Sequence, residues 1–224
     1  MSDAHSLAPF PAHRLIPSRF PPIGLFDTVA TAADAALVME LAGWTNDRLV
    51  AERLRRLPEN EWVYGRSNAS VVMAAFLHPA PSGSRFNGPD LGAWYAAAAL
   101  STAAFEVAHH LRREAAATGS AVLYRDYRAY TARLDGAFLD IRGQRAGRPA
   151  LYDPASHAAG QAFGEGVRTA GGIGIVYDSI RHEAGVNAVA YRPPSVLDVT
   201  QADHWRITVE PDSSRVGMAR LRAA

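Results

Sequence analysis

Cysteine and lysine are both missing from this chain of 224 residues. Without cysteine there is no disulfide framework, no thiolate metal site and no cysteine nucleophile. All 23 basic residues are arginine, which removes the P-loop lysine, Schiff-base chemistry and a Ser–Lys dyad. Genomic base composition is the plain explanation of that bias. No apolar run approaches the ~20 residues that a membrane helix needs. The N-terminal segment also lacks the charged-then-apolar layout of a signal peptide, so a cytoplasmic protein is expected. Neither sign of charge dominates: the formal net charge is +1, and no global field argues for nucleic acid or a membrane surface. What is present, 48% hydrophobic and 20% charged residues, suits a soluble globular chain with a sizeable core.

Residues 1–24 carry Pro11, Pro17, Pro21 and Pro22, so this stretch is expected to be extended or poorly ordered. Helical spacing follows over residues 30–41, ended by Gly43, and again from Asn46 or Asp47 to Leu57. Arg53, Arg55 and Arg56 on that second helix suit a solvated face better than an anionic partner. Residues 61–66 (EWVYGR) and 70–78 (SVVMAAFLH) read as strands. Around Arg85, the residues Gly83, Asn87, Gly88 and Pro89 predict a loop. Residues 91–100 read as a buried strand, and Ser101 or Thr102 can cap a helix that Gly119 stops. Strands are expected within residues 121–130 and 134–143. A helix follows over 154–169, weakened by Gly160, Gly164 and Gly166 at about 1 kcal/mol each relative to alanine. Four more strands fall within 171–181, 187–193, 204–210 and 215–222. Grouped helices and a strand-rich second half predict an α+β fold rather than a doubly wound sheet.

Several familiar chemistries find no support. His109 and His110 are adjacent, so on a helix they point about 100° apart and do not readily share one ion. The other histidines considered, His78, His157, His182 and His204, are scattered singly, and no metal site is expected. Ser179 lies in YDSIR, which is not a nucleophile elbow. Residues 171–175 (GGIGI) sit inside a strand pattern, where close backbone packing is the better reading than a phosphate loop. What remains is Arg66, Arg85, Tyr95, Glu106, Ser179 and Arg181, at loops and strand ends. Guanidinium forks suit phosphate oxygens, tyrosine suits stacking on a flat cationic heterocycle, and a lone carboxylate suits a developing oxocarbenium ion. Together they fit a nucleotide whose glycosidic bond is broken. The same residue types at strand ends also serve as structural bracing.

At these residues the chain resembles the RES-domain family. The matching stretches are Tyr64-Gly65-Arg66, Gly83-Ser84-Arg85-Phe86-Asn87, Tyr95 with Glu106 after it, and residues 171–193 with Tyr177, Ser179, Arg181, Gly185 and Asn187. The resemblance implies an ADP-ribosyltransferase-like mixed sheet with flanking helices. Residues 1–60 would form an N-terminal extension, Pro-rich and then helical, and residues 61–224 the NAD-binding catalytic domain. It also implies the toxin of a bacterial type II toxin–antitoxin pair that cleaves the nicotinamide–ribose bond of NAD+, as a glycohydrolase or phosphorylase. The alternative is a mono-ADP-ribosyltransferase acting on a protein acceptor, and a third reading is a non-enzymatic nucleotide-binding module. By the resemblance, Glu106, Arg66 and Ser179 are catalytic. Arg66, Arg85, Tyr95, Ser179 and Asn187 would bind NAD+ as substrate, with Tyr64 an alternative to Arg66 in reaching it. No metal, membrane or direct nucleic-acid contact is implied, and the partner would be a helix-turn-helix antitoxin that blocks the active site.

Overall fold

The computed structural model describes residues 4–20, 24–45 and 56–222. Nine strands form one mixed sheet in the order β1-β5-β6-β7-β3-β2-β4-β8-β9. They are β1 (His5–Ser6), β2 (Ala12–Pro17), β3 (Trp94–Ala97), β4 (Leu123–Leu134) and β5 (Phe138–Asp140), then β6 (Gly174–Asp178), β7 (Val186–Ala190), β8 (Val196–Val209) and β9 (Gly217–Leu221). Among the described residues four helices flank it: α1 (Ala32–Thr45), α2 (Ala69–Leu77), α3 (Leu100–Thr118) and α4 (Ala158–Thr169). This is the expected α+β mixed sheet with flanking helices. Only residues 135–137 join β4 to β5, a link reaching at most ~14 Å. Five strand spacings of a flat sheet would separate the two by roughly 24 Å, so the sheet curls back on itself.

Residues 1–24 are extended where described, yet they are not peripheral. β2 pairs antiparallel with β4 along its whole length, from Ala12 opposite Ala132 to Pro17 opposite Tyr127. Its other edge meets β3 at one registered pair, His13 with Ala97. Pro17 is tolerated because it ends the strand. The segment therefore supplies a central strand whose partners lie more than eighty positions away.

Two expected strands are absent. Residues 70–77 belong to α2, whose buried residues Ala69, Val72, Met73, Phe76 and Leu77 recur at helical spacing. β-branched composition pointed to a strand, while the burial period is that of a helix. The N-terminus of α2 is capped from a distance: Asp27 accepts from the backbone N–H groups of Asn68 and Ser70, both at 2.9 Å. Residues 61–66 form no strand either. They pass from a short 3-10 turn (Glu59–Glu61) into irregular chain, where Gly65 takes a φ of +68° and brings its N–H to the Phe26 carbonyl. The helix expected from residue 46 or 47 to 57 lies almost wholly outside the described residues.

The helix at the centre of the chain forms as expected. Ala104, Ala108, Leu111 and Ala115 are fully buried against Leu15, Tyr127, Ala129, Ile207 and Val209. Leu111 alone contributes about 1.5–3 kcal/mol by burial. Gly119 closes the helix in the left-handed conformation, φ +66°. At the other end the cap is the backbone of Ala99, without a side-chain bond, and Thr102 spends its hydroxyl elsewhere. Gly174 in the GGIGI run owes its identity to packing: a Cβ there would sit 2.1 Å from the Val189 carbonyl and 2.5 Å from the Phe138 ring.

Candidate active site

Beyond the pair His13–Ala97, β2 and β3 share no further registered pairs. Arg14 reaches across this side, and its Nη1 donates to the Tyr95 carbonyl at 2.9 Å. Its guanidinium rests 4.7 Å over the Trp94 ring, and burial pushes its pKa down to about 10. A cavity of about 740 Å³ opens here, lined by residues from β2, β3, α3, the loop around Arg85, the loop before α4 and the loop following β6.

Four of the six residues assigned to the site from sequence line it, and a fifth, Ser179, joins them through its bond to Glu106. Glu106 projects from α3, and its Oε1 accepts from the Ser179 hydroxyl and from Asn187 Nδ2, both at 2.7 Å. Asn187 stands in register with Ala97 on β3 and with Tyr177 on β6, so all three share one face of the sheet. Ser179 lies just past the end of β6. Its Oγ accepts from the backbone N–H groups of Arg181 at 3.1 Å and His182 at 3.0 Å, which leaves its only proton for Glu106. The carboxylate is thereby held in a fixed direction by two donors.

Arg85 is anchored through Nη1 to the carbonyls of Leu151 and Asp153, each at 3.0 Å. The Tyr95 ring lines the cavity, while its hydroxyl braces the arginine loop, accepting from Phe86 N–H at 2.9 Å and donating to Asn87 Oδ1 at 2.8 Å. The loop is supported from below by α4. A Cβ on Gly160 would come within 2.3 Å of the Arg85 carbonyl, and one on Gly164 within 2.0 Å of the Phe86 carbonyl. The glycines that weaken this helix let a backbone lie directly on it.

Arg66 is not brought to the other five. It is absent from the cavity lining, and its Nη2 donates to the Val196 carbonyl at 2.8 Å. Tyr64 packs against the core beneath α2. Sequence reasoning also missed several residues that do line the cavity: His13, Arg14, His109, His110, Arg113 and His157. One signal was available. Glu106, His109, His110 and Arg113 fall at i, i+3, i+4 and i+7, a single stripe of α3.

The sequence matches the RES domain over residues 53–210. The chain belongs to the RES domain family. No curated protein matches it. A solved structure similar to this RES chain is that of the M. tuberculosis MbcT–MbcA toxin–antitoxin complex, at 19% identity over 58% of this chain and 74% of that chain, with a TM-score of 0.43.

The electrostatics of the RES cavity are one-sided. Arg14, Arg85, Arg113 and Arg181 face it together with four histidines, and Glu106 is the one carboxylate among the described residues that line it. Neither the Arg113 nor the Arg181 guanidinium has an ion pair among the described residues. Burial lowers the pKa of all four histidines, and nearby arginines lower His109, His110 and His157 further. His109 reaches about 4. Glu106 opposes this at His110.

A pH dependence follows. The unfolded chain takes up these protons near 6.5, before the folded protein does. Stability is therefore present above about pH 6.5 and is lost as pH falls toward the depressed folded values. The melting temperature is expected to drop between pH 7 and 5, and added pyrophosphate to lessen the drop by favouring the imidazolium forms. Scanning calorimetry checks this. A melting temperature flat over that range, with and without pyrophosphate, would contradict it.

Proposed function

We propose that this RES domain cleaves the nicotinamide–ribose bond of NAD+, as the toxin of a toxin–antitoxin pair. One observation carries the chemistry: Glu106, oriented by Ser179 and Asn187, stands in a cavity whose other charged side chains are arginines. The cationic lining suits a diphosphate. The oriented carboxylate suits the positive ribosyl centre that develops as the bond to nicotinamide breaks. Nicotinamide departs carrying the bonding electrons and becomes neutral, so no general acid is needed. An acceptor oxygen then bonds to the ribose carbon. With water as acceptor, the products are ADP-ribose, nicotinamide and a proton.

In this reading Arg85 holds the diphosphate together with other cavity arginines, and Tyr95 offers its ring to the nicotinamide end. Ser179 and Asn187 act through Glu106. Arg66, which stands apart from the cavity, takes no direct part. Family membership supports the toxin role, and with it a small helix-turn-helix antitoxin that covers the cavity, while location in the cytoplasm follows from the substrate. Expression of the protein in bacteria without an antitoxin tests the reading. Cellular NAD+ is expected to fall before growth stops, and a Glu106→Gln variant to leave both unchanged. Growth arrest with NAD+ undiminished would contradict it.

A further inference from the structure

Residues 179–185 form a small closed loop. Ser179 N–H bonds to the Gly185 carbonyl at 2.7 Å, and Gly185 N–H to the His182 carbonyl at 3.0 Å. The loop holds Ala184 in the left-handed region, φ +55°, a conformation that an alanine does not keep unless its surroundings impose it. It also lies so close to α3 that a Cβ on Gly185 would stand 2.8 Å from Thr102 Cγ2.

The side chain that ties this loop to α3 is that of His182. Its Nδ1 is hydrogen-bonded to Thr102 Oγ1 at 2.9 Å, and its ring stacks on Phe105 at 4.6 Å and 13°. Thr102 is buried and sits one turn before Glu106 on the same helix. The backbone N–H of His182 meanwhile binds Ser179 Oγ. One residue thus grips the helix that carries Glu106 with its side chain, and the serine that orients Glu106 with its backbone. Neither Thr102 nor His182 lines the cavity.

We propose that His182 is a positioning residue which, clamped to Thr102 and Phe105, fixes the Ser179–Glu106 hydrogen bond. The part of this inference that concerns turnover rests on the proposed NAD+ cleavage. The geometric part does not.

The test compares Thr102→Val, which removes the hydroxyl at constant shape, with Thr102→Ser, which keeps it, and with His182→Phe, which keeps the stack. Turnover of NAD+, amide hydrogen exchange and melting temperature are measured for each. Thr102→Val is expected to lower kcat about tenfold, the worth of one hydrogen bond, with KM within about twofold. Its amides at residues 180–185 should exchange faster while those of the sheet do not. Thr102→Ser should behave as wild type. The double variant Thr102→Val/His182→Phe should be no slower than His182→Phe alone, because both remove the same bond. The proposal is overturned if Thr102→Val changes neither kcat nor loop exchange, or if Thr102→Ser is equally impaired. If the wild-type protein leaves NAD+ intact, the functional reading fails, and exchange confined to the loop still decides the clamp.

Discussion

Glu106→Gln is expected to slow NAD+ cleavage by about 10³-fold while the fold and the affinity for NAD+ stay close to wild type. The substitution keeps an oxygen where Oε1 now accepts from Ser179 and Asn187, so the local geometry survives and only the negative charge is lost. That charge acts on the ribosyl cation, which exists in the transition state and not in bound NAD+. The loss should therefore appear in kcat rather than in KM. Steady-state kinetics on the purified variant, with its melting temperature as a control, give the answer. A variant retaining more than about a tenth of wild-type kcat would place the carboxylate outside the chemistry.

Three glycines in α4 are expected to respond to alanine with opposite signs. Gly164→Ala would drive a methyl group to 2.0 Å from the Phe86 carbonyl and 2.5 Å from the Tyr191 hydroxyl, where the two are hydrogen-bonded to each other. Neither backbone can yield without displacing the Arg85 loop. A cost of about 3 kcal/mol is expected, or roughly 6–12 °C in melting temperature for a chain of this size. Gly160→Ala meets the Arg85 carbonyl in the same way. Gly166→Ala meets nothing within 4 Å, and should stabilise the protein by about 1 kcal/mol through helix propensity alone. Calorimetry on the three variants tests the packing directly. Equal effects at all three positions would mean that the loop does not rest on this helix.

Legibility in the sequence follows the range of the interactions concerned. The loop around Arg85, the helix carrying Glu106 and the strands after residue 121 are written in local signals, namely glycine and proline punctuation, a glycine stop and β-branched runs. These were readable. The role of β2 was not, because a proline-punctuated segment gives no hint that its partners lie on β3 and β4. Missing β2 meant missing Arg14 and His13, and left Arg66 as the nearest arginine to assign. The period of α2 was present in the chain but was outweighed by its valines. In α3 the sequence pattern singles out Glu106, although the positions at i+3, i+4 and i+7 complete the stripe that faces the cavity. The glycines of α4 looked like weaknesses, since only the folded chain shows the backbone that lies upon them. His182 read as a solitary histidine, because its partner Thr102 is eighty positions away.

The most direct measurement is proton NMR of NAD+ incubated with the purified protein, with and without phosphate, beside the Glu106→Gln variant. Free nicotinamide released by the wild-type protein and not by the variant is the expected result, with phosphate dependence identifying the acceptor. NAD+ left intact by the wild type under both conditions, or nicotinamide released equally by both proteins, would contradict the assignment of this cavity as a site of glycosidic cleavage.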